Sequence, residues 1–194
     1  MDLNRLTEKS QEALRNAQAL ATRRSHQSVD VEHLLAALVE EAEGLTAALL
    51  AAAGIAPSAV REQIEQELNR IPQVSGPGAG AQQIYVTQRL GRVLTQAEDE
   101  AKTLKDEYVS VEHLLLAILG ERGGAASRLL QSLGLTRERV MTALQKVRGH
   151  QRVTSTNPET TYQALERYGR DLTKLATQGK LRSEERRVGK ECRL

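Results

Sequence analysis

An all-α fold is predicted by three features of this 194-residue sequence: apolar residues recur at helical spacing, no independent strand pattern interrupts them, and the chain repeats itself. The run Val31-Glu32-His33-Leu34-Leu35 returns 80 residues later as Val111-Glu112-His113-Leu114-Leu115. The same ungapped displacement carries Thr7 to Thr87, Leu14 to Leu94, Ala17 to Ala97, Gly44 to Gly124, Gly54 to Gly134 and Val60 to Val140. Solenoid units are shorter and more numerous, so two copies at this period indicate a duplicated small domain. The expected architecture is two pseudo-symmetric four-helix repeats, about eight helices, followed by a linker and a C-terminal helix.

Each element has its own signal. In the first helix Leu6, Ala13, Leu14, Ala17 and Ala21 share a face, matched in the second copy by Val86, Leu90, Val93, Leu94, Ala97 and Ala101. Val31, Leu34, Leu35, Leu38 and Val39 give the next stripe, repeated by Val111, Leu114, Leu115, Ile118 and Leu119. Asp30 and Ser110 stand where an N-cap oxygen accepts the first free amide hydrogens, and Gly44 and Gly124 are expected to end these helices. A short third helix carries Leu49-Leu50 or Leu129-Leu130, closed by Gly54 or Gly134 in the left-handed region. Pro57 and Thr136 start the fourth, with Val60, Ile64 and Leu68, or Val140 and Leu144, buried. The only β-like run, Ile84-Tyr85-Val86, leads straight into a helical pattern, so no strand is expected.

These patterns set the boundaries. Repeat one spans 1–71, a Gly- and Pro-rich mobile connector 72–83, repeat two 84–148 and a polar linker 149–160. Asn157-Pro158 blocks helix continuation, after which Tyr162, Leu165, Tyr168, Leu172 and Leu175 open a further helical segment, 161–181.

Composition removes several function classes. The chain is 40% apolar and 27% charged, with formal net charge +2, one Cys, four Tyr and no Phe or Trp. Four tyrosines supply few stacking platforms for single-stranded nucleic acid. Cys192 alone makes neither an internal disulfide nor a cysteine zinc cage. Met1-Asp2-Leu3-Asn4-Arg5 opens no export signal, and the longest apolar stretch, Ala47 to Ala56, is about half a membrane span, so a soluble cytoplasmic protein is expected. Neither Gly179-Lys180 nor Gly189-Lys190 has the spacing of a phosphate-binding loop, so no enzyme activity and no cofactor are expected of this chain. His33 and His113 lack a second ligand at helical spacing and read as hydrogen-bonded structural histidines, with no metal expected. The acidic runs around Glu40 and Glu98 read as solvated helix faces.

The residues that remain carry a resemblance. Leu6-Thr7-Glu8-Lys9-Ser10-Gln11-Glu12-Ala13-Leu14, the doubled Val-Glu-His-Leu-Leu and Asn69-Arg70-Ile71-Pro72-Gln73-Val74 resemble the N-terminal double-repeat domain of the Clp AAA+ chaperones. Ala164-Leu165-Glu166-Arg167-Tyr168-Gly169-Arg170-Asp171-Leu172-Thr173 with Gly179-Lys180-Leu181 is similar to the start of the first ATPase module in the ClpB disaggregase branch. The resemblance implies a hexameric, ATP- and magnesium-dependent ring that threads aggregated polypeptides with help from a DnaK-type chaperone, in which this domain captures unfolded or aggregated substrate. It implies two copies packed about a pseudo-two-fold axis around an apolar groove with a polar rim. It places Thr7, Asp106 and Glu112 on that rim and Leu94 in the groove. Each also has a structural reading: Thr7 as a helix cap, Asp106 as a solvated loop residue, Glu112 as support for its first helical turn, Leu94 as core.

Two further readings belong to other classes. A helix-turn-helix DNA-binding regulator is opposed by charge placement, since residues 1–80 carry 7 basic and 11 acidic side chains and residues 81–150 carry 10 and 8. A stand-alone adaptor without a motor is the other. Residues 182–194 match nothing expected of the family; they hold 5 basic and 3 acidic side chains, hence the whole net charge, and read as an atypical or artefactual tail. Without the ATPase modules the chain is expected to be a monomer that binds neither nucleic acid nor membrane.

Overall fold

The computed structural model of the chain describes residues 3–41, 44–74, 84–149 and 151–158. A 3-10 turn at Leu3–Arg5 precedes α1 (Glu8–Arg23), β1 (Ser28–Val29), α2 (Val31–Glu40), α3 (Leu45–Ala52) and α4 (Pro57–Asn69) of repeat one. Repeat two supplies β2 (Tyr85–Val86), α5 (Gln88–Leu104), α6 (Val111–Gly120), α7 (Ala125–Ser132) and α8 (Arg137–Arg148). The fold is all-α, as its periodicity requires.

The helix starts follow from their caps. Thr7 and Thr87 accept from the amides of Ser10 at 3.3 Å and Leu90 at 3.1 Å, fixing α1 and α5. Asp30 and Ser110 cap α2 and α6 in capping boxes in which His33 and His113 fill the position usual for Glu; each ring Nδ1 accepts the cap residue's own amide hydrogen, at 3.1 and 2.9 Å. Pro57 stands in the first turn of α4, and Thr136 accepts from the Arg139 amide at the start of α8. Gly54 and Gly134 follow α3 and α7 with φ of +78° and +82°, where any Cβ would be strained.

Gly44 and Gly124 differ from the expectation. They do not end α2 and α6; each is the N-cap of the next helix, with φ of −76° and −68°. Their requirement is space, because a Cβ at Gly124 would collide with the Glu121 carboxylate folded across it.

Strand is also present where none was expected. β1 and β2 pair in parallel, Ser28 opposite Tyr85 and Val29 opposite Val86, and Leu6 bridges Val109 in the same sense. Shifting Leu6 and Val29 by the repeat length gives Val86 and Val109, so the two pairings are symmetric exchanges between repeats. Thr7 and Thr87 donate to the carbonyls of Val109 at 3.0 Å and Val29 at 3.1 Å. The pairs stay short because the threonine caps start a helix at once, and the backbone bonds come from a partner some 60 to 100 residues away, which no local pattern records. Leu6 and Val86 therefore precede their helices rather than belong to them.

Helix packing obeys the same symmetry. α3 lies against α8 and α7 against α4, while α2 and α6 touch each other and the outer helices α1 and α5. Nearly every residue of α2 and α6 is buried, including Glu32, His33, Glu112 and His113, because these helices are covered from several sides rather than from one. Leu34, Leu35, Leu114, Leu115 and Ile118 are fully buried, each contributing about 1.5–3 kcal/mol relative to an exposed side chain.

Residues 151–158 return over repeat two. The Val153 amide donates to Asp106 at 2.9 Å, its carbonyl accepts from Glu107 at 3.0 Å, and the Thr156 carbonyl accepts from Glu8 at 2.8 Å. Most of the connector and all of the segments expected at 161–181 and 182–194 lie outside the described residues. Among those described, no helix is long and apolar enough to cross a membrane.

Candidate functional site

Of the four residues that the resemblance assigns to substrate, three lie beneath the surface. Thr7 and Glu112 are fully buried and Asp106 is 6% exposed, whereas Leu94 stands half-buried on outer helix α5. Thr7 caps α1 and donates to the Ser10 hydroxyl at 3.0 Å. Asp106 and Glu112 meet in one ionic cluster; Thr7 and Leu94 have no hydrogen bond to it.

At the centre of that cluster is Arg148, from the last turn of α8. Its guanidinium donates to Asp106 Oδ1 at 2.5 Å and Glu112 Oε1 at 3.2 Å, and to the Gln151 carbonyl. Asp106 Oδ2 accepts from His113 Nε2 at 3.0 Å, and Glu112 accepts the Ser110 hydroxyl. Because His113 Nδ1 is occupied by the Ser110 amide, the neutral ring must carry its proton on Nε2. Burial pushes the Asp106 carboxyl up, but the bonds from His113, Arg148 and the Val153 amide outweigh it and hold it at about 2. Every polar atom here is turned inward, so the cluster ties α6, α8 and residues 151–153 together rather than presenting reacting groups.

Repeat one has diverged at the same positions. His26 replaces Asp106 and Leu68 replaces Arg148. His33 Nδ1 accepts the Asp30 amide, so its Nε2–H donates to His26 Nδ1 at 2.8 Å, and the His26 Nε2–H is left buried without a partner. Burial pushes His33 down to about 4, and burial with nearby Arg24 also lowers His26. Glu32, the counterpart of Glu112, is satisfied from the other repeat: Arg89 donates to Glu32 at 2.9 Å, Asp30 at 3.0 Å and Glu121 at 2.8 Å. Those carboxylates hold the guanidinium firmly protonated. Among the described residues no three His, Cys, Asp or Glu side chains are grouped as a metal site.

Exposed apolar surface lies elsewhere. Tyr85 and Val86, immediately before α5, are 68% and 63% exposed, unlike the buried Leu6 at the equivalent of Val86. Sequence reading assigned Val86 to the buried stripe of the helix; the alternation that marks a half-paired strand is too short to see in two residues.

The Clp repeat N-terminal domain model matches residues 5–133. The chain belongs to this family. It is 51% identical over 182 residues to the chaperone protein ClpB of Nitratidesulfovibrio vulgaris, a match covering 93% of the chain and 21% of that relative. The chain thus spans about a fifth of the length of the curated relatives it matches. The Hsp104 N-terminal domain from Candida albicans has the same fold, with TM-score 0.66 and 24% identity over 79% of this chain and 97% of that one. A ClpV N-domain in complex with a VipB peptide also shares it, with TM-score 0.52 and 21% identity over 73% and 86%. The duplicated helices, exchanged strand pairs and central α2 and α6 described above are therefore those of a Clp N-terminal domain.

Proposed function

We propose that this Clp N-terminal domain captures exposed apolar segments of unfolded or aggregated polypeptides on the outer face of repeat two, as the substrate-receiving module of an ATP-driven ClpB-type disaggregase. The observation that carries this is the uncovered apolar surface at Tyr85 and Val86, leading into α5 with half-buried Leu94; among the described residues every other large apolar side chain is buried or half-buried. The VipB peptide in complex with a ClpV N-domain supports the reading that this fold can seat a peptide. Leu94 is assigned direct contact. Thr7, Asp106 and Glu112 support the fold rather than touch substrate: Thr7 sets the start of α1, and the two carboxylates join α6 to α8 through Arg148.

Binding of this kind is weak and tolerant of sequence. Each 100 Å² of apolar surface removed from water contributes about 2.5 kcal/mol before ordering costs are subtracted, so one patch of a few side chains gives low affinity. Weakness suits a module that must release its substrate to a pore, and six tethered copies on a hexamer would raise the effective concentration. Residues 1–148 form the capture domain in this account. ATP and magnesium belong to the ATPase modules, and a DnaK-type chaperone would deliver aggregates to the assembled ring.

The test is fluorescence anisotropy of a labelled, permanently unfolded protein titrated with the chain and its Leu94→Glu variant. The account predicts at least about fivefold weaker binding with helicity and melting retained, since a charge cannot be desolvated at an apolar contact. Should Leu94→Glu lose helicity, Tyr85→Ser serves instead. Unchanged binding by a folded variant refutes the proposal.

A further inference from the structure

The two repeats each contain a cleft between the first helix and the loop that joins the second helix to the third. The clefts occupy equivalent positions. That of repeat one, about 210 Å³, is lined by Lys9, Glu12, Glu40 and Glu41 over Ala13 and Ala37; that of repeat two, about 360 Å³, by Arg89, Arg92, Arg122 and Glu121 over Val93 and Ala117. The charge has inverted. One cation faces three carboxylates in the first, and three cations face one carboxylate in the second.

The ion pairing sharpens the contrast. Lys9 is held between Glu12 and Glu41 at 3.0 and 2.8 Å, so the first cleft neutralises its own cation and keeps Glu40 in excess. In the second, Arg89 is committed to Asp30, Glu32 and Glu121. Arg92, at the position of Glu12, and Arg122, in the α6–α7 loop, are exposed, and among the described residues neither has a hydrogen-bond or ion-pair partner. An exposed cation needs no partner in water; two of them lining one cleft, where the sister cleft is acidic, form a surface of defined chemistry.

We infer that the cleft of repeat two is a second docking site, distinct from the Leu94 face, for acidic segments of an extended polypeptide in which Asp or Glu alternates with small or aliphatic residues. The geometry of the partner follows from the lining. Arg92 comes from α5 and Arg122 from the α6–α7 loop, both line the cleft, and each can take a carboxylate by two parallel N–H donors. Between them the cleft leaves room for the intervening side chain above Val93 and Ala117, which are themselves almost wholly covered. Duplex nucleic acid is a poorer fit, because phosphate tracking needs a longer basic stripe than two residues, and repeat one opposes it with its acidic cleft. The site would let a capture domain engage chain segments that an apolar face alone rejects, and the charge inversion confines that preference to one repeat.

The experiment titrates the full chain with two short labelled peptides, one alternating Asp with Leu and the other Asn with Leu. The second reports any purely apolar binding, so failure of the Leu94 reading and failure of this one are separable. In about 50 mM salt the acidic peptide is expected to bind at least about fivefold more tightly than the neutral one, with the advantage largely gone at about 0.5 M. The paired substitution Arg92→Glu with Arg122→Glu removes that advantage and leaves the neutral peptide's affinity unchanged. Arg128→Glu, an exposed arginine on α7 that lines a different groove, leaves both unchanged. Equal affinity for the two peptides, insensitivity to the paired substitution, or an equal loss with Arg128→Glu overturns the inference. So does tighter binding of short duplex DNA through the same two arginines.

Discussion

Replacing Asp106 by Asn isolates the charge at the heart of repeat two. The side chain is fully buried, with Arg148, His113 and the Val153 amide on its two oxygens. A folded value of about 2 against an ordinary 3.8 corresponds to about 2 kcal/mol of stability at neutral pH, at about 1.4 kcal/mol per unit. Asparagine adds a second loss. With its oxygen toward Arg148 and Val153, its amide group faces the His113 Nε2–H, and that ring cannot switch tautomer because Nδ1 is held by Ser110; one donor is then unsatisfied, at about 1–3 kcal/mol. Arg148 keeps Glu112 as a partner, so no charge is orphaned. The total is about 3–5 kcal/mol, read as a lower urea midpoint at unchanged slope by far-ultraviolet circular dichroism. A depressed carboxylate stabilises above its unfolded value and loses that contribution as pH falls through its folded value. The gap between wild type and Asp106→Asn should therefore narrow between about pH 4 and pH 2. A gap below about 0.5 kcal/mol at pH 7, or one that stays constant down to pH 2, refutes the reasoning.

Other expectations concern the remaining polar contacts. His33 at about 4 and the lowered His26 are neutral in the fold but titrate near 6.5 when unfolded, so stability is complete above about pH 6.5 and declines as pH falls toward 4; calorimetry across this range should show that slope, reduced in His26→Gln. Arg89→Met leaves Glu32, Asp30 and Glu121 without their shared cation. Since Arg89 is about one-third exposed, the cost in denaturant unfolding should be near 2 kcal/mol, below the 3–5 typical of a fully buried pair. Gly124→Ala displaces the mobile carboxylate end of Glu121 and loosens its pair with Arg89, and should lower stability by only about 1 kcal/mol, whereas Gly120→Ala, with open space around it, should be neutral or slightly stabilising by the same thermal assay. Leu114→Ala, in a fully buried position, should cost about 2–5 kcal/mol.

Much of this fold was legible because local rules act within one helical turn. The caps at Asp30 and Ser110, the left-handed glycines after α3 and α7, and Pro57 at the start of α4 each need only neighbours three or four residues away, and the repeat supplied every assignment twice. What the sequence hid depends on distant partners. Val86 keeps an apolar residue at the place of buried Leu6, yet one is in solvent and the other is covered, and only three-dimensional packing distinguishes them. Gly44 and Gly124 marked the correct breaks but not the side they serve, because a small residue that admits a folded-back Glu looks the same as one that ends a helix. The candidate site divides in the same way. Family motif positions Thr7, Asp106 and Glu112 are prominent in sequence and prove to be buried, while Arg89 joins the repeats through Asp30 and Glu32, 57 to 59 residues away, and no local spacing announces it.

Methyl-resolved NMR of the chain titrated with an unfolded polypeptide lacking acidic runs tests the capture proposal most directly. The account predicts shift changes concentrated at Leu94 and Val86 on the outer face of repeat two, with the buried methyls of α2 and α6 unmoved. Changes spread evenly over both repeats, or confined to surfaces away from Leu94 and Val86, would contradict it.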